Sequence, residues 1–486
     1  MRSLLAVLNV VGTLLAWFAL YFILPVLTAV FYGEWQPLRG FIAGGVISAG
    51  TGLILQLLTR RYRQDLKPRD AFLLVSAGWL IIAAVATTPL LLDVPGLSYT
   101  RAYFETMSGL STTGATMLRG LDALPHCLNL WRHALSWLGG MGIIVFGVAI
   151  LPLLGIGGMH FYRAGAPGGV KDTKFAPRIT ETARILSYVY GGLTAVCALA
   201  LWAAGMSAFD AICHAFSTVA LGGFSTHDAN IAYFHSPLIE SIVTLFMLIA
   251  AMNFATHFMA LRRGDIGVYR RDPEARWMLL LVLVSVLAVT LFLEWRRVYP
   301  GFPLSLRYAV FNVVSLATSG GFFSTDYDRW PAFAPLWMLL LSCMCANTGS
   351  PGGGIRMFRA VLLVKQSLRE MFALVHPQAV SPVRIAGQVV PNSMVYSVLA
   401  FLALYFFTIA VLTFALLISG LDLTSALSAI VACINNVGPG LGLVGPGHGY
   451  GALYGVQAWI CIAAMFLGRI EIISFAVLFT PTFWRK

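Results

Sequence analysis

Ten apolar stretches, long enough or nearly long enough to cross a bilayer as helices, run from Leu4 to Phe479 and leave little chain for a water-soluble core. They are Leu4–Phe31, Gly40–Leu58, Ala71–Leu92, Leu128–Leu154, Leu186–Trp202, Pro237–Leu261, Trp277–Leu293, Leu336–Cys345 with a continuation, Ser393–Ile418 and Val456–Phe479. Strands of a membrane barrel need only about ten residues of alternating polarity. Continuous runs of this kind therefore predict an all-α polytopic membrane protein. Composition agrees: 58% of the 486 residues are hydrophobic and 11% charged, against about a quarter charged in ordinary globular chains. A soluble enzyme, a disordered scaffold and a nucleic-acid binder are poor readings, despite a net charge of +12. Only Arg2 precedes the first stretch and no small-residue cleavage site follows a short core, so that stretch is expected to be retained as a helix.

Lysine and arginine placement predicts orientation, because cytoplasmic loops keep the positive residues. With the N-terminus inside, 23 basic residues fall on the inner face and eight on the outer, and the acidic residues divide eleven outside to eight inside. Arg469 and Glu471 are left within the last apolar stretch. The +12 is thus expected to be an inner-face excess. The seven cysteines lie mostly in apolar surroundings without paired spacing and are expected to be small core residues. The nine histidines form no HExxH motif.

A glycine-bearing segment recurs four times between spanning stretches, each time on the predicted outer side. The four read SGLSTTGAT (Ser108–Thr116), FSTVALGGFS (Phe216–Ser225), SLATSGGFFS (Ser315–Ser324) and CINNVGPGLG (Cys433–Gly442). Aligned without gaps they superpose Gly114, Gly222, Gly320 and Gly438, at intervals of 108, 98 and 118 residues, one helix–loop–helix unit per repeat. A hydroxyl residue 14 to 16 positions upstream, Ser98, Ser207, Ser305 or Thr424, is a candidate N-cap for a half-helix of about three turns. Four half-helices entering from outside would aim their partially negative C-terminal ends at one central point, which favours a cation. Glycine there lets the chain take a positive φ and bring carbonyl oxygens toward an axis.

At these residues the sequence resembles the Trk/Ktr/HKT superfamily of potassium transporters, most closely its bacterial TrkH branch. The resemblance spans the chain. It includes Gly139-Gly-Met-Gly142, Leu151-Pro-Leu-Leu-Gly-Ile-Gly-Gly-Met159, Pro177-Arg-Ile-Thr-Glu-Thr-Ala-Arg184, Leu467-Gly-Arg-Ile-Glu471 and Phe479-Thr-Pro481. It implies four pseudo-repeats of helix, re-entrant pore loop and helix around one pore, after an extra N-terminal helix pair. The expected divisions are 1–69 for that pair, then 70–183, 184–274, 275–390 and 391–486 for the repeats. It also implies a homodimer in the bacterial cytoplasmic membrane, gated by a cytoplasmic TrkA-like ring that would carry the ATP or NAD. The chain itself is expected to need no cofactor.

On this resemblance potassium is held by carbonyls of Thr112, Thr113 and Gly114, of Ala220, Leu221 and Gly222, of Thr318, Ser319 and Gly320, and of Asn436, Val437 and Gly438. Asn347-Thr348-Gly349-Ser350-Pro351-Gly352-Gly353-Gly354 interrupts the third repeat, since Pro351 removes an amide donor and three glycines follow. It reads either as a break between a spanning and a cytoplasmic helix or, as the resemblance implies, as an intramembrane gating loop. Arg469 reads as a snorkelling or carboxylate-paired arginine, or by resemblance as a pore-facing barrier to cations. Asp210 and Asp422 are expected as N-terminal caps or outer-mouth charges, and His214 as a polar core residue. Arg163, Lys171, Arg262, Arg263, Arg270 and Arg359 are candidates for docking the ring. A secondary transporter of another monovalent cation or small solute is the alternative, but it would favour inverted repeats. A membrane enzyme would show clustered catalytic side chains at one interface, which the sequence lacks.

Overall fold

A computed structural model of the protein describes residues 2–62, 69–146 and 175–484. The end of the Leu128–Leu154 stretch, the Leu151–Met159 motif, Arg163 and Lys171 lie outside the described residues. Among the described residues the regular structure is helical apart from a two-residue-per-strand hairpin, Arg384–Ile385 against Gln388–Val389.

The N-terminal pair, Leu4–Tyr32 and Leu38–Tyr62, consists of apolar helices long enough to span a membrane. Glycines let the two backbones meet: a Cβ on Gly12 would lie 2.8 Å from Gly52 O, and one on Gly52 2.7 Å from Gly12 O. The pair leans on the first repeat, where Tyr21 OH donates to Ala134 O at 2.6 Å and the Phe22 and Trp131 rings lie 4.6 Å apart. Glu34 accepts from the Cys127 and His126 amides, satisfying the first turn of His126–Val145.

Each repeat begins with a long apolar helix: Asp70–Asp93, Glu181–Ala203, Pro273–Trp295 and Asn392–Ile418. A short helix follows, Tyr99–Leu110, Ala208–Ala220, Phe302–Ala317 or Leu423–Ile434. At 12 to 16 residues these are roughly 18–24 Å long, short of the hydrocarbon thickness. Ser98 and Ser207 cap the first two as expected, accepting from the Arg101 and Asp210 amides. The other two caps differ. The third half-helix starts earlier, at Gly301, and Ser305 instead donates to Glu294. The fourth is capped by Asp422, two residues before Thr424, which gives that carboxylate the capping role.

The second helices depart most from continuous spans. His126–Val145 is one uninterrupted helix to the edge of the described residues, but Pro237–Ala251 and Phe254–Arg263 meet at 95°, and Gly455–Arg469 and Ile472–Phe479 at 103°. The expected single stretches Pro237–Leu261 and Val456–Phe479 are thus bent pairs. At the first bend Met252 and Asn253 are extended and Asn253 Oδ1 caps Ala255 N; at the second Glu471 takes φ 62°. In the third repeat Phe333–Ser342 and Met357–Val375 are separated by an irregular stretch. Apolar side chains such as Trp17, Leu58, Leu199, Leu283 and Phe407 face outward, whereas buried hydroxyls and amides gather where the half-helices end.

Candidate pore and its closure

All four half-helices end in the same hydrogen bond, closing on the carbonyl five residues back. Thr113 N donates to Ser108 O at 2.8 Å, Gly222 N to Ser217 O at 2.8 Å, Gly320 N to Ser315 O at 2.7 Å and Val437 N to Ala432 O at 2.9 Å. The residue before each donor is left-handed: Thr112 (φ 53°), Leu221 (φ 53°), Ser319 (φ 62°) and Asn436 (φ 52°). The residue after it is a glycine at positive φ: Gly114 (78°), Gly223 (66°), Gly321 (74°) and Gly438 (92°).

The loops therefore correspond one residue later in the second and third repeats than an ungapped alignment gives. Gly222 and Gly320 match Thr113 and Val437, and the glycines matching Gly114 and Gly438 are Gly223 and Gly321. Ala220 and Thr318 correspond to Ser111 and Asn435, at the ends of the half-helices.

The four loops close into a ring through one repeated approach. A Cβ on Gly114 would lie 2.3 Å from Gly222 O, one on Gly223 3.0 Å from Gly320 O, one on Gly321 2.1 Å from Val437 O, and one on Gly438 2.6 Å from Thr113 O. Each loop's carbonyl thus sits against the next loop's glycine, around the full circle. Two independent facts require glycine at these positions, the positive φ and the absence of room for a side chain. Gly114, Gly223 and Gly321 line one end of a cavity of about 270 Å³, whose wall also carries Arg119, Arg132 and Asp228. The loops are latched beyond the ring: Asp228 accepts from the Gly120 and Leu121 amides, Asn230 from Phe323 N, Asp328 from Gly442 N, and Tyr450 N donates to Thr116 O. His214 is buried between Asp210 O and Ser225 Oγ, as a polar core residue should be.

On the opposite side of the ring lies the interruption of the third repeat. Asn347–Pro351, Gly352 and Gly353 are buried, and the chain passes directly beneath the half-helix ends. A Cβ on Gly353 would lie 2.1 Å from Asn435 O, and one on Gly352 3.2 Å from Thr318 O. Asn347 N donates to Ala251 O, Phe254 N to Gly349 O, and Thr348 N to Glu274 Oε2 at 2.7 Å. The 95° bend of the second repeat and the first turn of Pro273–Trp295 therefore hold the segment from one side. Arg469 holds it from the other, donating to Pro351 O at 2.6 Å and to Gly139 O at 3.2 Å. The space left between this loop, Asn436 and Arg469 is about 10 Å³, no more than one water needs.

Arg469 is buried in the last turn of its helix, where the C-terminal carbonyl ends favour a cation. Its partners are backbone carbonyls rather than a carboxylate. Glu471, beyond the bend, faces other cations: its Oε2 is 2.8 Å from Arg359 and its Oε1 3.7 Å from Arg356. Arg359 is also stacked 4.0 Å from the Phe401 ring. It is buried and so is removed from the candidate docking residues, while Arg262, Arg263 and Arg270 are exposed.

Three charged groups at the site escape a linear reading. Glu274 and Arg132 look like ordinary loop-edge charges, yet Glu274 caps the interrupting loop, and Arg132 pairs with Glu105 at 2.8 Å while both are buried. The available signal was local: Glu105 is the sole charge in an otherwise uncharged run from Ala102 to Leu118.

Comparison with known proteins supplies the family. Residues 38–486 match the TrkH family, described as cation transport protein. The Trk system potassium uptake protein TrkH of Salmonella typhimurium is 44% identical over 482 residues, covering 99% of each chain. Its counterpart from Halomonas elongata is 43% identical over 487 residues, covering 100% of each. The crystal structure of the potassium transporter TrkH from Vibrio parahaemolyticus superposes with a TM-score of 0.91 at 40% identity, covering 100% of this chain and 99% of that one. A chain matched along its whole length, with the same all-helical fold, belongs to the TrkH family of cation transport proteins, a transporter rather than an enzyme family.

Proposed function

We propose that this protein takes up potassium across the bacterial inner membrane, through a pore whose selectivity filter is the ring of four loops. The observation that carries the reading is the repeated seat of one loop's carbonyl against the next loop's glycine, at Gly114, Gly223, Gly321 and Gly438. Such a ring concentrates backbone oxygens where four half-helices end, and both favour a dehydrated cation over an anion or an organic solute. The filter segments are Thr112–Gly114, Leu221–Gly223, Ser319–Gly321 and Asn436–Gly438. Side chains there can differ as widely as Leu221 and Asn436 because the ligands are backbone atoms.

In this reading Asn347–Gly354 is the gate and stands closed, with Arg469 as both its clasp and an electrostatic barrier below the filter. The cavity of about 270 Å³ is then the outer vestibule, and both termini are cytoplasmic, in keeping with the 23 basic residues assigned to that face. The four repeats divide at 69/70, 183/184, 274/275 and 390/391. The working assembly is a homodimer on a cytoplasmic TrkA-like ring that binds ATP or NAD; the names of relatives as Trk system proteins support the presence of further components.

Uptake of rubidium and sodium into liposomes holding the purified chain, with and without such a ring, tests the proposal. Wild type should favour rubidium, and Gly114→Ser should abolish that preference, since its side chain would meet Gly222 O. A wild-type chain that passes neither ion with the partner supplied overturns the reading.

A further inference from the structure

Three residues before the closing carbonyls Ser108, Ser217, Ser315 and Ala432 stand Glu105, His214, Asn312 and Ala429. The first three are buried polar side chains, and each reaches the segment leaving the ring. Glu105 accepts from Thr116 Oγ1 at 2.9 Å and from Met117 N at 3.0 Å. His214 Nδ1 lies 2.8 Å from Asp210 O, and a carbonyl only accepts, so Nδ1 carries the proton and Nε2 accepts from the Ser225 hydroxyl at 2.9 Å. Asn312 donates to Ser324 Oγ at 3.1 Å and accepts from Ser324 N at 3.3 Å. In the fourth repeat Ala429 has nothing to offer, and Ser428, one residue earlier, accepts from Leu441 N at 2.9 Å. Counted from the ring glycines, the anchored residues are always the second or third beyond.

Every filter loop is thus tied twice to its own half-helix, by the closing bond on one side of the ring and by this brace on the other. A buried polar group is costly unless it is hydrogen-bonded, so an apolar side chain would fill the same space more simply. Its recurrence at one register of three dissimilar helices follows from the loop it holds. The first brace is also an ion pair. Arg132 Nε meets Glu105 Oε1 at 2.8 Å, Nη1 donates to Ser225 O at 3.2 Å, and the guanidinium lies 4.3 Å from the Phe224 ring. Arg132 therefore neutralises the brace carboxylate and joins the first loop to the second.

Resting on the potassium reading above, we infer that Glu105, His214 and Asn312, with Arg132, are positioning residues that set cation discrimination by fixing the carbonyls from behind. Whether such a ring selects by size or by field strength, both depend on where the oxygens are held.

The test compares rubidium-to-sodium uptake ratios in liposomes for full-length Glu105→Gln, Asn312→Leu and Asn312→Asp, the last keeping the acceptor for Ser324 N. The ratio should fall at least threefold in Glu105→Gln and Asn312→Leu and return to within twofold of wild type in Asn312→Asp. If Glu105→Gln does not fold, the two Asn312 variants decide. Variants that lose yield but keep the wild-type ratio in their folded fraction overturn this inference alone. A wild-type chain without cation flux overturns it together with the pore reading.

Discussion

Gly320 and Gly321 are adjacent and chemically identical, yet they face different surroundings. A Cβ on Gly321 would lie 2.1 Å from the Val437 carbonyl at φ 74°, whereas one on Gly320 would meet the Met247 sulfur at 2.4 Å, the end of a flexible side chain. Gly321→Ala should therefore cost far more rubidium selectivity than Gly320→Ala, whose main effect should be an overpacking loss of about 1–3 kcal/mol in thermal stability. The reverse order in paired uptake and melting measurements would restore the ungapped register. Sequence alone leaves this register open because the second and third loops carry double glycines, either of which can take the positive φ. Ser108, Ser217 and Ser315 hold the usable signal, since aligning those serines superposes the first three closing bonds, while the fourth closes on Ala432. Arg469 was legible as an anomalous charge; its carbonyl partners were not, because they come from segments 118 and 330 residues away. Arg469→Ala should free Pro351 and raise rubidium flux several-fold, and unchanged liposome flux would refute its role as a clasp.

Broken helices are where linear reading did least well. Apolar content marks a segment as membrane-embedded without saying whether it is straight, so Val456–Phe479 scans as one span although it turns by 103°. Glu471 sits at that turn and Arg356 opens the helix Met357–Val375, both at positive φ, and their ion pair ties two restarted helices together. Removing one partner of a buried pair leaves uncompensated charge. Glu471→Ala should lower unfolding stability by about 3–5 kcal/mol, read as a drop in melting temperature in detergent. The loop seam at His227 is a second element-scale device. Its Nδ1 lies 2.5 Å from Asp122 Oδ1 and its Nε2 3.6 Å from Asp210 Oδ1. Partial burial pulls the imidazole down, but the nearby Asp210 carboxylate and the hydrogen bond to Asp122 outweigh it and hold His227 above its ordinary range. Asp122 is correspondingly lowered: partial burial pushes it up, and the bonds from His227 and the Asp228 amide outweigh that. A raised histidine contributes stability in full below its unfolded pKa of about 6.5 and loses it as pH rises through the folded value. The Asp122 contribution is present at neutral pH and disappears only in strong acid. The melting advantage of wild type over His227→Asn should therefore shrink between pH 6 and pH 9; an advantage independent of pH would refute the ion pair.

At the scale of the molecule, the run of apolar segments and the fourfold recurrence of the glycine loops could be read in the chain, because each is a property of spacing or composition. The way the loops seat on one another could not, since every seam joins residues roughly a hundred or more positions apart. Orientation can be tested cleanly because all seven native cysteines are buried thiols. With a membrane-impermeant maleimide, Ala123→Cys should label in intact cells and Arg263→Cys only after permeabilisation; both positions are exposed. Labelling in the opposite order would invert the topology. The ring has a further consequence, because its four quarters are written in one gene and are not copies. In an assembly of four identical chains, a single codon change strikes every quarter at once. Here it strikes one, so the fourth quarter can carry its brace on Ser428 while Ala429 stands where the others have Glu105, His214 and Asn312. Each quarter is free to drift on its own, and under the proposed pore reading the permeation properties of the whole can be graded in single-quadrant steps.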